Sequence, residues 1–493
     1  MEYVNNSSAT PILGPQGARA SFCWLLILLS LLLVVVVLPM TSTGIGMAIV
    51  SAWVVLIWVG ISFIYGQFHY VVLMWVAVYP YCYYFLSYPK EQSIFTVDRA
   101  LGGLLLIGMF LVSRKPSAPP LSRDVHLSAY FWSLYLVACA LSLVGHPPSE
   151  ALMSYRLLVD GMVMPMLFGL YAMRYFPLLA NVSKAHTCVC ILAMGLCITG
   201  VFELTTGIDL FPWAGANPQF TDTRVRRADG PFEQPGILSL VAILAFFLMT
   251  YLRRLMPVRV SSWRALLHKT GFFCSFIAAL APLNRGLVVV LVPVAVIDWF
   301  SPHRMISRKT WAAIFGSIVL VGAVASLLYP ALYEDRTTKP DNLYQRFAQD
   351  RETIQVVREH PIFGVGFNLY YAAASQDPRY LAKWKGIISM NLPHNVIMTV
   401  LSEEGVIGLF FWVGAQVFLV RAMWKMRRAF PVGWLAFLYC FLVYSLIGLD
   451  DAIVYFADVN LIYMFALGLF LQVQARMQRA EETVTLESAL TVI

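Results

Sequence analysis

Long apolar runs alternate with short polar connections over most of the chain. About fourteen of these runs are long enough to cross a membrane. Their residues do not alternate between apolar and polar as the strands of a membrane barrel do, so each run is predicted to be a helix. The runs lie at roughly residues 22–40, 44–65, 69–88, 98–113, 126–145, 157–175, 185–204, 235–252, 268–283, 285–300, 309–329, 395–420, 429–449 and 452–473.

Composition points to the same class of protein. The chain is 59% hydrophobic and 13% charged, whereas soluble domains are about 45–50% apolar and about 25% charged. The predicted fold is therefore an all-α polytopic membrane protein with about 12–14 transmembrane helices and two polar inserts. The net charge of +8 is explained by cytoplasmic loops and lipid headgroups. No nucleic-acid-binding motif is visible, so no nucleic-acid partner is expected.

We expect a single transmembrane domain at residues 22–473, between cytoplasmic segments at 1–21 and 474–493. The first apolar run is longer than the core of a usual signal peptide and has no clear cleavage site, so it is interpreted as a retained span. The eight cysteines all fall inside apolar runs, without a metal-binding spacing or a loop position suited to a disulfide. They are predicted to pack between helices.

Four clusters of Lys and Arg orient the chain. Basic loops of membrane proteins stay in the cytoplasm, so all four clusters are placed on that side. Counting the crossings between them then puts the inserts at 205–234 and 330–393 on the outer side. The clusters lie at residues 253–269, 304–309, 421–428 and 476–479.

Arginines in the outer inserts are unusual, because the same rule disfavours positive charge there. Arg224, Arg226 and Arg227 lie in the first insert, and Arg346 and Arg351 lie in the second. Guanidinium groups match phosphate oxygens two at a time. The sharper hypothesis is thus an anionic diphosphate ligand, and the alternative is contact with lipid headgroups or ion pairing with nearby acidic residues.

Arg285 lies in the outer turn between the runs at 268–283 and 285–300. The first of these runs has about sixteen residues, which span about 24 Å as a helix. A bilayer core is about 30 Å thick. Arg285 is therefore expected to lie below the outer surface, in a cavity.

His394 is the candidate general base. Asn391 is predicted to cap a helix, with Pro393 and His394 in its first turn. The positive end of the helix dipole disfavours a charged imidazole, and a neutral imidazole is what a general base requires. The alternative is a histidine that only caps or packs. Glu403 and Glu404 point away from His394 and are expected to orient other groups or to end the helix before Gly405.

Two stretches together resemble the signature block of the O-antigen ligase and Wzy polymerase superfamily: HPIFGVGFNLY in the second insert, and PHNVIMTVLSEEGVIGLFFW from the end of that insert into the next apolar run. Two upstream pieces resemble the same family in order: RADGPFEQP from Arg227, and LNRG around Arg285. Arg346 stands where the family usually has an Arg. The residues that carry the signature are Pro361, Gly364, Gly366, His394, Asn395, Glu403, Gly405 and Gly408. Three positions depart from the usual pattern: Gly236, Asn284 and Asp350.

The resemblance implies a GT-C-like, inverting glycosyltransferase of the bacterial inner membrane that uses no metal or other cofactor. It implies a donor glycan on undecaprenyl diphosphate, an acceptor that is lipid A core or a growing glycan, contact with membrane lipids, and a site facing the periplasm. His394 would be the base, and Asn395 and Glu403 would support it. The resemblance assigns Arg227 and Arg285 to the diphosphate, with Arg224, Arg226, Arg346 and Arg351 as further candidates.

Several functions stay open at this point. A ligase would use lipid A core, a polymerase the growing glycan, and a protein O-glycosylase a Ser or Thr. The sequence does not separate these acceptors. A transporter or flippase of lipid-linked sugars would instead have charges buried in mid-span and two related halves. No internal repeat is visible, and the outer charges favour the enzyme.

Overall fold

The fold is that of a computed structural model. It describes residues 68–86, 99, 101–103, 105–106, 121–211, 228–232, 234–257, 261–328, 341–376, 380, 383–384, 387–388, 393, 395–449 and 452–490. The chain divides into two compact units, Met1–Ala100 and Leu101–Ile493. The described part of the first unit is chiefly α1 (Phe68–Leu86), an apolar helix with a proline inside it.

Helices make up nearly all of the described part of the second unit. They follow each other as α2 (Arg123–Ser142), α3 (Pro148–Leu158), a π-helical turn (Val159–Val163), α4 (Met164–Arg174), α5 (Leu178–Thr206), α6 (Pro235–Leu255), α7 (Ser262–Leu280), α8 (Arg285–Phe300), α9 (Arg308–Leu328), α10 (Asp341–Glu359), α11 (Tyr370–Gln376), a small antiparallel pair β1 (Lys383–Trp384) and β2 (Ile387–Ile388), α12 (Val396–Glu403), α13 (Gly405–Lys425), α14 (Pro431–Gly448), a 3-10 turn (Ile453–Tyr455) and α15 (Ala457–Leu490).

Seven helical stretches in the described residues are long and apolar enough to cross a membrane, so the prediction of an all-α polytopic membrane protein is confirmed. They are α2, the continuous stretch from α3 to α4, α5, α6, α13, α14 and the first part of α15. Helices α7, α8 and α9 coincide with three more of the predicted runs. The predicted runs at 22–40 and 44–65 lie outside the described residues.

Helix α6 is the centre of the second unit. Its sequence is apolar around the whole circumference, a pattern typical of a helix that has neighbours on every side. It is buried along most of its length and packs against α5, α7, α14 and α15. Hydroxyls join it to α7, because Ser239 Oγ donates to the Ala279 carbonyl (2.9 Å) and Ser275 Oγ to the Ala242 carbonyl (2.6 Å).

Helices α2 and α13 pack side by side. Phe131 of α2 lies against Phe418 of α13, with ring centroids 5.3 Å apart. Gly414 makes room for this ring, because a Cβ there would lie 2.3 Å from Phe131. Ser128 Oγ also donates to the Ala415 carbonyl (2.8 Å). Apolar packing and this hydrogen bond together fix the pair.

Ion pairs show that α2 and α13 are antiparallel. Asp124, at the start of α2, is buried and lies 2.5 Å from Lys425 Nζ and 3.5 Å from Arg421 Nε, at the end of α13. Both cations belong to a basic cluster that was predicted to be cytoplasmic. The other ends of the two helices, Ser142 and Gly405, therefore lie together at the opposite face of the membrane.

Asp298 joins the loop after α8 to two helices. Its buried carboxylate accepts from the amides of Met305 (2.7 Å) and Ile306 (3.0 Å), from Trp311 Nε1 (2.7 Å) and from the Tyr439 hydroxyl (2.6 Å). A buried carboxylate is tolerated when donors replace its water. The four donors thus explain an acidic residue at the end of an otherwise apolar helix.

Two predictions about helix lengths are wrong. The run at 395–420 is not one helix, because it breaks between α12 and α13. The run at 268–283 belongs to a helix of nineteen residues, about 28 Å long, since its polar first turns from Ser262 continue the helix beyond the apolar part. The prediction that Arg285 lies below the outer surface therefore depends on the length of α8 alone, which has sixteen residues.

Candidate functional site

Two parts of the signature block bind each other through their backbones. The amide of Gly366 donates to the Glu403 carbonyl (2.8 Å), and the amide of Val406 donates to the Pro361 carbonyl (2.9 Å). The first part is the turn after α10, and the second is the break between α12 and α13. We call the paired segments 361–366 and 402–407 the signature clamp.

Glycine is required on both sides of the signature clamp. Gly364 and Gly405 each have φ of +67°, a conformation that residues with a side chain rarely adopt. A Cβ at Gly364 would lie 2.2 Å from the Glu403 carbonyl carbon, and one at Gly405 would lie 2.2 Å from the Ile362 oxygen. The obstacles are backbone atoms and cannot turn aside. Gly364 and Gly405 therefore stand at the two positions where the backbones of the paired segments touch.

Glu403 extends the clamp to the next turn. Its buried carboxyl accepts from the Asn368 amide (2.7 Å) and from the Tyr370 amide (3.4 Å). Burial raises the pKa of Glu403 to about 7, and these hydrogen bonds oppose the rise. The expectations that Glu403 orients other groups and that the helix ends before Gly405 are both confirmed.

Glu404 is buried beside Glu403, but the amides of Asn368 and Tyr370 donate to Glu403 and not to Glu404. Burial, and then the neighbouring Glu403, raise the pKa of Glu404 well above its usual range. Gly408 leaves room for this side chain, since a Cβ there would lie 2.2 Å from Glu404 Cβ. Sequence reasoning missed this burial, although two acids inside an apolar run were its signal.

Asn395 caps α12. Its side-chain oxygen accepts from the amides of Ile397 (2.9 Å) and Met398 (3.4 Å), the second and third residues of the helix. The predicted cap at Asn391 is therefore wrong, as is the placement of Pro393 and His394 in the first turn. Proline favours the first turn of a helix, but the side chain that satisfies the first amides of α12 belongs to Asn395, four residues after Asn391.

The loop after α2, whose sequence does not belong to the family pattern, lies against the signature clamp. Ser142, at the end of α2, accepts from the Phe367 amide (3.0 Å) through its Oγ. Gly366 has φ of +106°, and a Cβ there would lie 3.2 Å from His146 Nε2 in the loop after α2. Ser142 and His146 are more than 200 residues from the signature, and no local pattern predicts the contact.

Glu203 holds the segment that follows Arg227. It is buried near the end of α5, and its carboxylate accepts from the amides of Asp229 (3.1 Å), Gly230 (2.7 Å) and Leu210 (3.4 Å). Gly230 has φ of +60°, so the turn itself depends on a glycine. This carboxylate orders the start of the RADGPFEQP piece, and sequence reasoning missed it.

The two arginine-bearing pieces of the family pattern converge on α5, one turn before Glu203. A Cβ at Gly200 would lie 3.3 Å from Ala281 and 4.0 Å from Ala228. Ala228 follows Arg227 in the chain, and Ala281 opens the turn that leads to Arg285. Asn284 caps α8 by accepting from the Gly286 amide (2.9 Å). The segments next to these arginines are thus packed on one helix.

The remaining predicted site residues are placed only in part. Arg285 is the first residue of α8. Arg346 and Arg351 are exposed on α10. Four predicted residues lie outside the described residues: Arg224, Arg226, Arg227 and His394. The roles assigned to all of these residues stay predictions.

One group of carboxylates in the described residues has the spacing of a metal site. Oxygens of Glu203, Asp209 and Asp229 lie within 4.8 Å of one another. Glu203 already accepts from backbone amides, and Asp209 Oδ1 accepts from the Phe211 amide (2.9 Å). Through these hydrogen bonds, Glu203 and Asp209 hold the loops after α5 in place.

Residues 270–413 match a family model described as O-Antigen ligase. The matched segment runs from α7 through the Arg285 turn and α10 to the signature clamp and the first part of α13. No curated protein matched the chain significantly. Residues 270–413 are thus similar to the O-antigen ligase family, and this match supports a multi-pass membrane enzyme of the ligase or polymerase type.

Proposed function

We propose that the protein moves a glycan from undecaprenyl diphosphate to an acceptor hydroxyl on the periplasmic side of the bacterial inner membrane. The signature clamp is the observation that carries this proposal. It uses the glycines of the family pattern for one purpose, which is to hold the end of α12 beside the turn after α10. His394 directly precedes the Asn395 cap at the other end of α12, so the clamp anchors the short helix that follows the proposed base.

His394 takes the proton from the acceptor hydroxyl as that oxygen attacks the anomeric carbon. The new glycosidic bond forms on the face opposite the leaving group, so the configuration inverts. The bond from the anomeric carbon to the diphosphate oxygen breaks, and undecaprenyl diphosphate leaves with the electron pair. The proton stays on the imidazole until it is passed to water. No metal is used in this scheme.

Arg227 and Arg285 bind the diphosphate and stabilise the charge that it gains on leaving. The convergence of residues 228–230 and 281–284 on α5 supports a joint role for the two arginines. Arg224 and Arg226 lie in the same insert as Arg227, and Arg346 and Arg351 contribute positive potential from α10. Asn395 and Glu403 position the start of α12 and the turn after α10, since each one binds backbone amides there.

A ligase that transfers the glycan to lipid A core is the first form of this proposal. A Wzy-type polymerase, which uses the growing glycan as acceptor, is the alternative within the same chemistry. Both use the same donor, base and leaving group.

A transporter or flippase of lipid-linked sugars is the second candidate from another class. Such a protein needs charged groups in mid-span. The buried carboxylates of the described helices lie instead at or near helix ends, apart from one on the polar helix α10, and the mid-span carboxylate of Asp160 in the π-helical turn is only half-buried. This pattern favours the enzyme. The carboxylates at helix ends are Asp124, Glu203, Asp298, Glu403 and Glu404.

The test is complementation of a strain that lacks this gene. His394→Ala is expected to abolish glycan transfer at normal protein level, with lipid-linked glycan accumulating, because the hydroxyl then has no base. His126→Ala is the matched control. His126 is exposed at the end of α2 that lies away from the signature clamp, and its ring hydrogen-bonds within the first turn of that helix. Normal transfer by His394→Ala would refute the proposed mechanism and favour the transporter.

A further inference from the structure

Helix α10 has one face that packs on the protein. Glu352 and Thr353 are buried there, and both bind the hydroxyl of Tyr370 (2.9 and 3.0 Å). Val356 joins a small apolar cluster with Val365 on the same side. This face accounts for the docking of α10 beside the signature clamp and leaves the opposite face exposed.

The opposite face carries apolar and cationic side chains in alternation. Phe347, Arg351, Ile354 and Arg358 follow each other at intervals of four, three and four residues. At 100° per residue they fall within an arc of about 60°. Phe347 is 42% exposed and Ile354 is 40% exposed, and both arginines are exposed as well. We call these four residues the α10 stripe.

No acidic residue belongs to the α10 stripe. Glu352 is buried on the other face, and Glu359 accepts from the Tyr380 hydroxyl (2.6 Å) at the side of the helix. Asp350 lies about 40° from Ile354 around the helix, at the edge of the α10 stripe. The exposed stripe therefore presents positive charge and apolar surface together.

An apolar tip follows the α10 stripe in the chain. Ile362 and Phe363 are 52% and 68% exposed, although both belong to the rigid signature clamp. The Ile407 amide of α13 approaches the Ile362 carbonyl (3.4 Å), so the tip is attached to the first turn of a membrane-crossing helix. The tip thus lies at the end of α13 that is away from the basic cluster at 421–428.

The outward side of α13 shows where the lipid begins. Val406, Phe410, Val413 and Val417 are 50%, 62%, 41% and 56% exposed and recur at intervals of four, three and four residues. Because α13 crosses the membrane, this row faces acyl chains. The row starts at Val406, whose amide donates to the Pro361 carbonyl beside the tip (2.9 Å), so the apolar surface of α13 continues into the turn after α10.

We propose that α10 is an interfacial helix that binds the anionic phospholipid surface. Phe347, Ile354 and the tip enter the headgroup region, and Arg351 and Arg358 reach the phosphates. Helices that combine apolar anchors with cations on one exposed face bind membrane surfaces in this way. The long arginine stems allow the charge to stay at the phosphates while the apolar neighbours go deeper.

The test uses the full chain in nanodiscs that contain one quarter phosphatidylglycerol. Ile354→Cys, Phe363→Cys and Gln355→Cys each carry a nitroxide, and the signal of the labelled parent protein is subtracted. Gln355 is the matched control, because it is exposed but points about 100° away from Ile354. Collision with oxygen relative to a water-soluble nickel chelate is expected to be several-fold higher at Ile354 and Phe363 than at Gln355. Equal ratios at all three positions would overturn the proposal.

The role of charge is tested separately in the Ile354 label. Adding Arg358→Gln, or replacing phosphatidylglycerol with phosphatidylcholine, is expected to lower the ratio of oxygen to nickel collisions. An unchanged ratio in both cases would show that the surface binds lipid without selecting anionic headgroups, which contradicts the proposal as stated. Arg358 is outside the proposed catalytic site, and neither readout depends on glycan transfer.

Discussion

Single residues in this protein act mostly through partners that are distant in the sequence. Glu203 binds amides 26 and 27 positions later, and Ser142 accepts from Phe367 across 225 positions. Periodicity and capping rules describe neighbours in the chain, so they could not predict these contacts. The same rules chose the cap of α12 four residues too early, at Asn391 instead of Asn395. The family pattern did single out Glu403, whose carboxyl orders the turn after α10.

Glu404 leads to a prediction about pH. Its pKa is raised by burial, so the folded state holds a proton that the unfolded state releases above pH 4.5. This carboxyl therefore stabilises the fold less as pH rises from 4.5 towards its raised pKa. Glu404→Gln, a neutral isostere, is expected to raise the melting temperature in detergent more at pH 8 than at pH 5.5. The exposed Glu359→Gln is the control, and an equal shift at both pH values would contradict a raised pKa of Glu404.

Among the elements, helices and their order were predictable, whereas breaks and extensions were not. Hydropathy located α2, α5, α6 and α14, because each is a continuous apolar run. Hydropathy predicted one helix where the structure has α12 and α13, because the break at Gly405 leaves the apolar pattern intact. It also shortened α7, whose polar first turns lie beyond the apolar run.

The signature clamp gives a prediction at this scale. Gly364→Ala must move backbone atoms of Glu403 and adopt a left-handed conformation, so it is expected to cost at least about 2 kcal/mol and to abolish transfer. Gly316→Ala in α9 is the control, because no atom lies within 4 Å of its added Cβ, and Ala favours the helix by up to about 1 kcal/mol. Melting temperature and protein level measure both variants. Equal stability of the two variants would show that the clamp does not constrain the fold.

At the scale of the whole molecule, charge and length predict an orientation of the helices in the membrane, and that orientation stays a prediction. The antiparallel pair α2 and α13 agrees with it, since Asp124 meets the basic cluster at 421–428. The same pair brings the loop after α2 to the signature clamp. The match to the O-antigen ligase family covers residues 270–413, so Glu203 and the loop after α2 are supports from outside the matched segment.

Transfer by the purified protein is the most direct test of the central claim. The full chain in nanodiscs would receive a synthetic undecaprenyl-diphosphate glycan and an acceptor, either lipid A core or a free glycan, in the presence of a metal chelator. We expect a glycosidic product of inverted configuration, released undecaprenyl diphosphate in equal amount, and no product from His394→Ala. Glycan that crosses the bilayer without any new glycosidic bond would contradict the account and identify a transporter.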